Sequence, residues 1–136
     1  MKMVLILCTG NSCRSQMAEA LINEKLSDNW MAFSAGTEPS GYVHPMALKA
    51  LKEIGIQHSG ISKHIDDLPT KEFDSVITVC DDAAENCPVW LGKGVRHHIG
   101  FLDPAKVEGT EEEIMAVFRQ VRDSIQVRVL SYLQSI

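Results

Sequence analysis

What this chain lacks narrows its chemistry first. It has no excess of positive charge: the formal net charge is −5, so nucleic acid is not an expected partner. It has no apolar stretch long enough to span a membrane, and its N-terminus is too poor in apolar residues for a signal peptide. The expected location is therefore the cytoplasm, where thiols stay reduced and cysteines tend to be catalytic or metal-binding. Repeats, low-complexity segments and linkers are absent, and 136 residues suit one domain over 1–136. The four cysteines, Cys8, Cys13, Cys80 and Cys87, have spacings that fit no common zinc module.

What is present is an alternation of strand-like and helix-like patterns. Met3–Leu7 is a continuous apolar run, as in a strand buried on both faces. Over residues 15–28, Ala18, Leu21, Ile22 and Leu26 share one helical face. Trp30–Ser34 reads as a second strand, closed by Ala35-Gly36-Thr37. His44-Pro45 opens a helix with Ala47, Ala50, Leu51 and Ile54 on one side, and Gly55 ends it. Lys63–Leu68 suits a short helix, Ser75–Val79 a third buried strand, and Gly94–Ile99 a weaker fourth. Thr110-Glu111-Glu112-Glu113 is a capping box before a long helix with Ile114, Phe118, Val121, Ile125, Val129 and Leu133 buried. The pattern predicts an α/β fold, an open four-stranded parallel sheet with helices on both faces. Ligands of such sheets bind at the carboxyl ends of the strands, the rim to which Cys8, Cys80 and Asp103 all belong.

The loop Cys8-Thr9-Gly10-Asn11-Ser12-Cys13-Arg14-Ser15 lies between the first strand and the first helix. Backbone N–H groups in such a loop can converge on one point, and the helix aims its positive end there. Thr9, Gly10, Asn11, Ser12 and Cys13 would supply that cradle, and the Arg14 fork suits two oxygens of a tetrahedral anion. Cys8 would form the floor as a thiolate, since a free thiol near pKa 8.5 falls to roughly 3.5–7.5 in such surroundings. The alternative for Cys8 is a small core residue at a strand end. Ser15 could donate to the thiolate or cap the helix. Asn11 would pin the loop or take a left-handed conformation. The Cys13 side chain reads as packing.

Cys80 and Cys87 flank Asp81-Asp82-Ala83-Ala84-Glu85-Asn86. If those residues are helical, a rise of about 1.5 Å each separates the two Cα atoms by roughly 10 Å, beyond the reach of a disulfide. A permanent bond is disfavoured; a switchable bond and two idle thiols both stay open. Asp103-Pro104 on the same rim could protonate an oxygen leaving a bound anion, or be only a turn. His97 and His98 are strand neighbours that point to opposite faces, so no metal role is expected.

Together these residues resemble the thioredoxin-coupled arsenate reductases, a branch of the low-molecular-weight protein tyrosine phosphatase fold, over nearly the whole chain. The pieces that carry the resemblance are Cys8 through Glu19, Ser34-Ala35-Gly36-Thr37, the Cys80/Cys87 pair and Gly100-Phe101-Leu102-Asp103-Pro104-Ala105. Phosphatases of this fold usually carry Pro where this chain has Gln16, and lack the Cys80/Cys87 pair. The segment before Asp103 departs from the pattern, reading His98-Ile99-Gly100-Phe101-Leu102 instead of carrying Trp and a second Asp. The resemblance implies a monomeric enzyme of arsenic detoxification without a cofactor. Cys8 would attack arsenate, Asp103 would protonate the departing oxygen, and Cys80 then Cys87 would complete a thiol relay re-reduced by thioredoxin. Asn11, Glu19 and Ser34 match positions at which some relatives bind potassium and others do not, which leaves the cation open. Two other readings are a phosphomonoesterase using Cys8, Arg14 and Asp103 alone, and a non-catalytic oxyanion-binding module.

Overall fold

The central strand of the sheet ends at the anion loop, and its two neighbours are what hold that end in place. A computed structural model describes residues 1–81 and 88–136. β1 (Lys2–Cys8), β2 (Trp30–Gly36), β3 (Glu72–Thr78) and β4 (Lys93–His98) form one sheet in the order β2-β1-β3-β4, parallel throughout. The chain leaves β1 in one direction to reach β2 and later returns to β1's other side as β3. This reversal of strand order opens a crevice at the β1 carboxyl end.

β1 serves two cores because successive side chains face opposite ways. Val4, Ile6 and Cys8 join a core with α1 (Arg14–Lys25), α2 (Pro45–Lys52) and α3 (Glu111–Gln134). Leu5 and Leu7 join a smaller core with Ala35, Leu68, Phe73, Val76 and Trp90. The helical cover expected on both faces is unequal among the described residues. All three α-helices lie on one side, and the other carries the single 3-10 turn Ile65–Asp67 beside Leu68 and Trp90. Phe73 bridges that smaller core edge-on to Phe33 and Trp90, at 5.7 and 5.8 Å between centroids.

Boundaries shift where local chemistry intervenes. α1 stops at Lys25, before the expected residue 28, because Leu26 leaves helical geometry. The Leu26 carbonyl then accepts from both Asn29 and Trp30, feeding the chain into β2. β3 starts at Glu72, earlier than the apolar run, with an irregular register between Glu72 and Ser75; Asp74 Oδ2 there accepts from Met3 N at 2.7 Å. β4 is an exposed edge strand, which explains its weak apolar signal.

Several end signals hold as read. His44 Nδ1 accepts from Met46 N to cap α2, and Gly55 takes a positive φ of 83° just beyond it. Thr110 and Glu113 form the reciprocal capping box of α3. Met115 joins the buried stripe of α3, and Ile114 is only partly covered. Among the described residues no helix is long and apolar enough to cross a membrane.

Candidate active site

The ring that follows Cys8 is built by turning its carbonyls outward. Thr9 O accepts from Glu38 N, Gly10 O from Ser40 N, and Ser12 O from His44 N, each at 3.0 Å. Asn11 O accepts from Gln16 Nε2 at 3.2 Å. A trans peptide points its N–H opposite to its C=O. The N–H groups of Gly10, Asn11, Ser12 and Cys13 are therefore turned toward the inside of the ring, above Cys8 and at the N-terminus of α1, an arrangement whose chemistry suits an anion. Gly36 lies opposite Cys8 in the sheet, and a Cβ there would run into the Thr9 carbonyl. This close approach gives the Ser34-Ala35-Gly36-Thr37 motif its physical meaning.

Asn11 adopts the left-handed conformation, with φ of 47°, and is fully buried. Its Oδ1 accepts from Lys63 N at 3.0 Å and Gln16 Nε2 at 3.1 Å. Its Nδ2 donates to Ser15 Oγ at 2.9 Å, which leaves the Ser15 hydroxyl its own proton to donate. Ser15 lies inside α1; Cys13 occupies the N-cap position without a side-chain capping bond. Ser15 therefore does not cap the helix.

Arg14 is buried at 3% side-chain exposure. Its Nη1 donates to the Phe101 carbonyl at 3.1 Å and its Nη2 lies 3.6 Å from Asp103 Oδ2. Asp103 Oδ1 accepts from Ala105 N at 3.0 Å, capping the 3-10 turn Pro104–Lys106, and lies 3.7 Å from Cys13 Sγ. Burial, reinforced by Asp103, pushes the Cys13 thiol up to about 12, with Arg14 opposing. Cys13 is thus a neutral thiol that packs in the core, as expected, and also faces the acid loop. Cys8, the loop and Asp103 share one cavity of about 490 Å³.

That cavity also contains residues the sequence did not single out as site residues: Tyr42, His44 and Lys106. The His44 ring lies tilted against Phe118, with 4.8 Å between centroids, and burial lowers its pKa against the pull of Asp103. The acid loop has a support of its own. Arg128 of α3 donates to the Gly100 carbonyl at 3.0 Å and lies 4.8 Å over the Phe101 ring. That contact packs the segment in which this chain departs from the family pattern.

Cys80 is fully buried on the same rim. Leu7 pairs with Thr78 and Val79 N donates to the Leu7 carbonyl at 2.9 Å, so Cys80 follows directly on the strand beside Cys8. Cys87 lies outside the described residues. His97 stacks flat on Tyr132 at 4.1 Å, while His98 Nδ1 meets Thr78 Oγ1 at 2.7 Å; the neighbours engage different partners, as strand alternation requires.

Comparison with known proteins agrees with this geometry. Residues 3–136 match the family described as low molecular weight phosphotyrosine protein phosphatase. An arsenate reductase of Halalkalibacterium halodurans is 49% identical over 135 residues, covering 98% of this chain and 96% of its own. One from Bacillus subtilis is 46% identical over 135 residues, with the same coverage. Among solved structures, an arsenate reductase in the phosphate binding state superposes with a TM-score of 0.76 at 30% identity, covering 100% of this chain and 99% of the other. An arginine phosphatase from Geobacillus stearothermophilus, 24% identical with a TM-score of 0.74 and covering 99% of this chain and 94% of its own, shares the fold. Matched over residues 3–136 and at 46–49% identity over nearly its whole length, the chain belongs to the low-molecular-weight phosphotyrosine protein phosphatase family.

Proposed function

We propose that this protein reduces arsenate to arsenite by a three-cysteine relay re-reduced by thioredoxin. The observation that carries the reading is the ring of inward N–H groups over Cys8, with Arg14 and Asp103 at its mouth and Cys80 just beyond the end of the adjacent strand. Arsenate binds the ring amides and Arg14. The Cys8 thiolate, which Ser15 can stabilise by donating its hydroxyl proton, attacks arsenic. Asp103 protonates the departing oxygen, so water leaves.

Cys80, as thiolate, then attacks the Cys8 sulfur. The sulfur–arsenic bond breaks with its electron pair on arsenic, As(V) becomes As(III), and a Cys8–Cys80 disulfide forms. Cys87 attacks Cys80, releasing Cys8 as thiolate and leaving Cys80–Cys87 for thioredoxin. Arsenate and phosphate share shape and charge, so selectivity comes from chemistry: thiols reduce As(V) and not phosphorus. The reading places the enzyme in the reducing cytoplasm, acting as a monomer in arsenic detoxification.

Potassium has no role in this reading. Side-chain oxygens of Asn11 and Glu19, at two of the matching positions, already have protein donors. Asn11 Oδ1 takes Gln16 and Lys63 N–H groups. Glu19 Oε1 accepts from Ser34 Oγ at 3.1 Å and lies 4.0 Å from the Lys63 ammonium, which supplies a built-in cation.

The deciding experiment is arsenate-dependent NADPH consumption with thioredoxin and thioredoxin reductase, against glutathione and glutaredoxin. Turnover with the first pair is expected; none with it would sink the reading. A second reading, phosphomonoester hydrolysis, is favoured by one observation: Cys8, Arg14 and Asp103 share one cavity, and hydrolysis needs no thiol beyond Cys8. It predicts aryl-phosphate turnover independent of Cys80.

A further inference from the structure

Behind the anion ring lies a second set of polar side chains that never reaches the cavity. Gln16 is fully buried on α1. Its Nε2 faces three oxygens, Asn11 O at 3.2 Å, Asn11 Oδ1 at 3.1 Å and Ile61 O at 3.1 Å. An atom surrounded by three acceptor oxygens must be the NH₂ end, its two N–H donors shared among them, so Oε1 is the end that lies 2.8 Å from His58 Nε2. An amide oxygen only accepts, so His58 Nε2 carries the proton. The assignments then run in one direction: His58 donates to Gln16, Gln16 to Asn11, and Asn11 Nδ2 to Ser15.

The backbone around His58 is shaped for this contact. A Cβ at Gly60 would strike both Gln16 Oε1 and His58 Nε2. The same segment reaches the ring twice more, through Ser62 Oγ to Gly10 O at 3.2 Å and Lys63 N to Asn11 Oδ1 at 3.0 Å. His58 Nε2 also lies 3.5 Å from Glu19 Oε2, a weaker contact than its bond to Gln16.

We propose that Gln16 and His58 are positioning residues for the oxyanion site: the His58 N–H fixes the Gln16 amide, whose NH₂ clamps Asn11 in its left-handed conformation and so keeps the ring amides turned inward. Neither residue lines the cavity with Cys8; both act through Asn11. The proposal rests on the reading of the ring as the anion site. It goes further in assigning the ring's preorganisation to a buried donor chain that runs in from the segment after α2.

The test uses the reduced full-length protein and inorganic phosphate as probe, by titration calorimetry, with arsenate kinetics in parallel. His58→Ala removes the donor and leaves Gln16 Oε1 buried without a partner. It is expected to weaken phosphate binding and raise the arsenate KM, each by about tenfold, with kcat within about twofold of wild type. His58→Gln, whose Nε2 can take the place of the ring donor, is expected to restore affinity to within about threefold.

Gln16→Ala should weaken binding similarly, and the double variant should bind no worse than Gln16→Ala alone, since both act in one chain. Unchanged phosphate affinity in folded His58→Ala would overturn the proposal, as would strictly additive effects or failure of His58→Gln to restore binding. If wild type itself binds no phosphate, the reading of the ring fails instead. That outcome is distinct from a wild type that binds and a His58→Ala protein that binds equally well.

Discussion

Arg14 and Asp103 form a contact that an incoming oxyanion must share: Arg14 Nη2 lies 3.6 Å from Asp103 Oδ2 while Nη1 is held by the Phe101 carbonyl. A carboxylate at the mouth of an anion ring repels the ligand and competes for its arginine. Asp103→Asn is therefore expected to have two effects of opposite sign. Phosphate should bind several-fold more tightly, and arsenate turnover should fall about a hundredfold, the low end for losing a general acid. Calorimetry and steady-state kinetics on one preparation check both. Weaker phosphate binding by Asp103→Asn would show that the carboxylate props the ring rather than opposing the ligand.

The cysteines separate by variant. Cys8→Ser should abolish arsenate reduction and aryl-phosphate hydrolysis together, because both start with the same attack. Cys80→Ser should lose arsenate turnover and keep the hydrolysis, since water resolves a phosphoenzyme. Cys87→Ser should release about one arsenite per enzyme and stall with a Cys8–Cys80 disulfide, read by peptide mapping after one equivalent of arsenate. Sustained thioredoxin-coupled turnover by Cys87→Ser would break the proposed order.

Cys13 should mark the alkaline limit of the fold. Its thiol is pushed from 9.0 up to about 12 by burial and by Asp103. Below pH 9 it is neutral folded and unfolded, and this contribution to stability is fully present. Between 9 and about 12 the unfolded chain sheds the proton while the native state keeps it, so stability falls as pH rises through that window. The urea midpoint should drop from pH 8 to pH 10.5, and Cys13→Ala should flatten that drop while retaining reductase activity. An equal drop in the variant would assign the alkaline loss to other groups.

Lys63 makes a prediction about salt. With its ammonium 4.0 Å from Glu19 Oε1, exchanging sodium chloride for potassium chloride at constant ionic strength should leave kcat/KM within about twofold, beyond general screening. A clear activation specific to potassium would show that the ion competes successfully with Lys63.

How much of this was legible in the sequence depended on range. β1, the ring after Cys8 and the left-handed Asn11 were readable because strand, loop and helix start are consecutive and their residue types have local reasons. Cys80 and Asp103 could be placed on the rim because parallel strands end together. The register that sets Gly36 against Thr9 could not be read, although the glycine itself was noticed. Gln16 stood out only as the absence of a proline, and its partner His58 follows it by 42 positions in a segment with no motif. Arg128 carried no signal at all: one arginine on a long amphipathic helix looks like solvent-facing charge until the helix lies against Gly100 and Phe101. The early end of α1 and the irregular start of β3 were set by carbonyl and carboxylate partners that no periodicity reveals.

The ring after Cys8 and the loop of Asp103 meet at Arg14 but are braced from behind by different elements. The ring is fastened to β1, α1 and the segment carrying Ser62 and Lys63; the Asp103 loop is moored to α3 through Arg128. A substitution on α3 that releases Gly100 is therefore expected to shift the Asp103 loop while the hydrogen bonds of Asn11, Gln16 and Ser62 that shape the ring stay in place; Arg14, bonded to the Phe101 carbonyl, is a side chain that feels both.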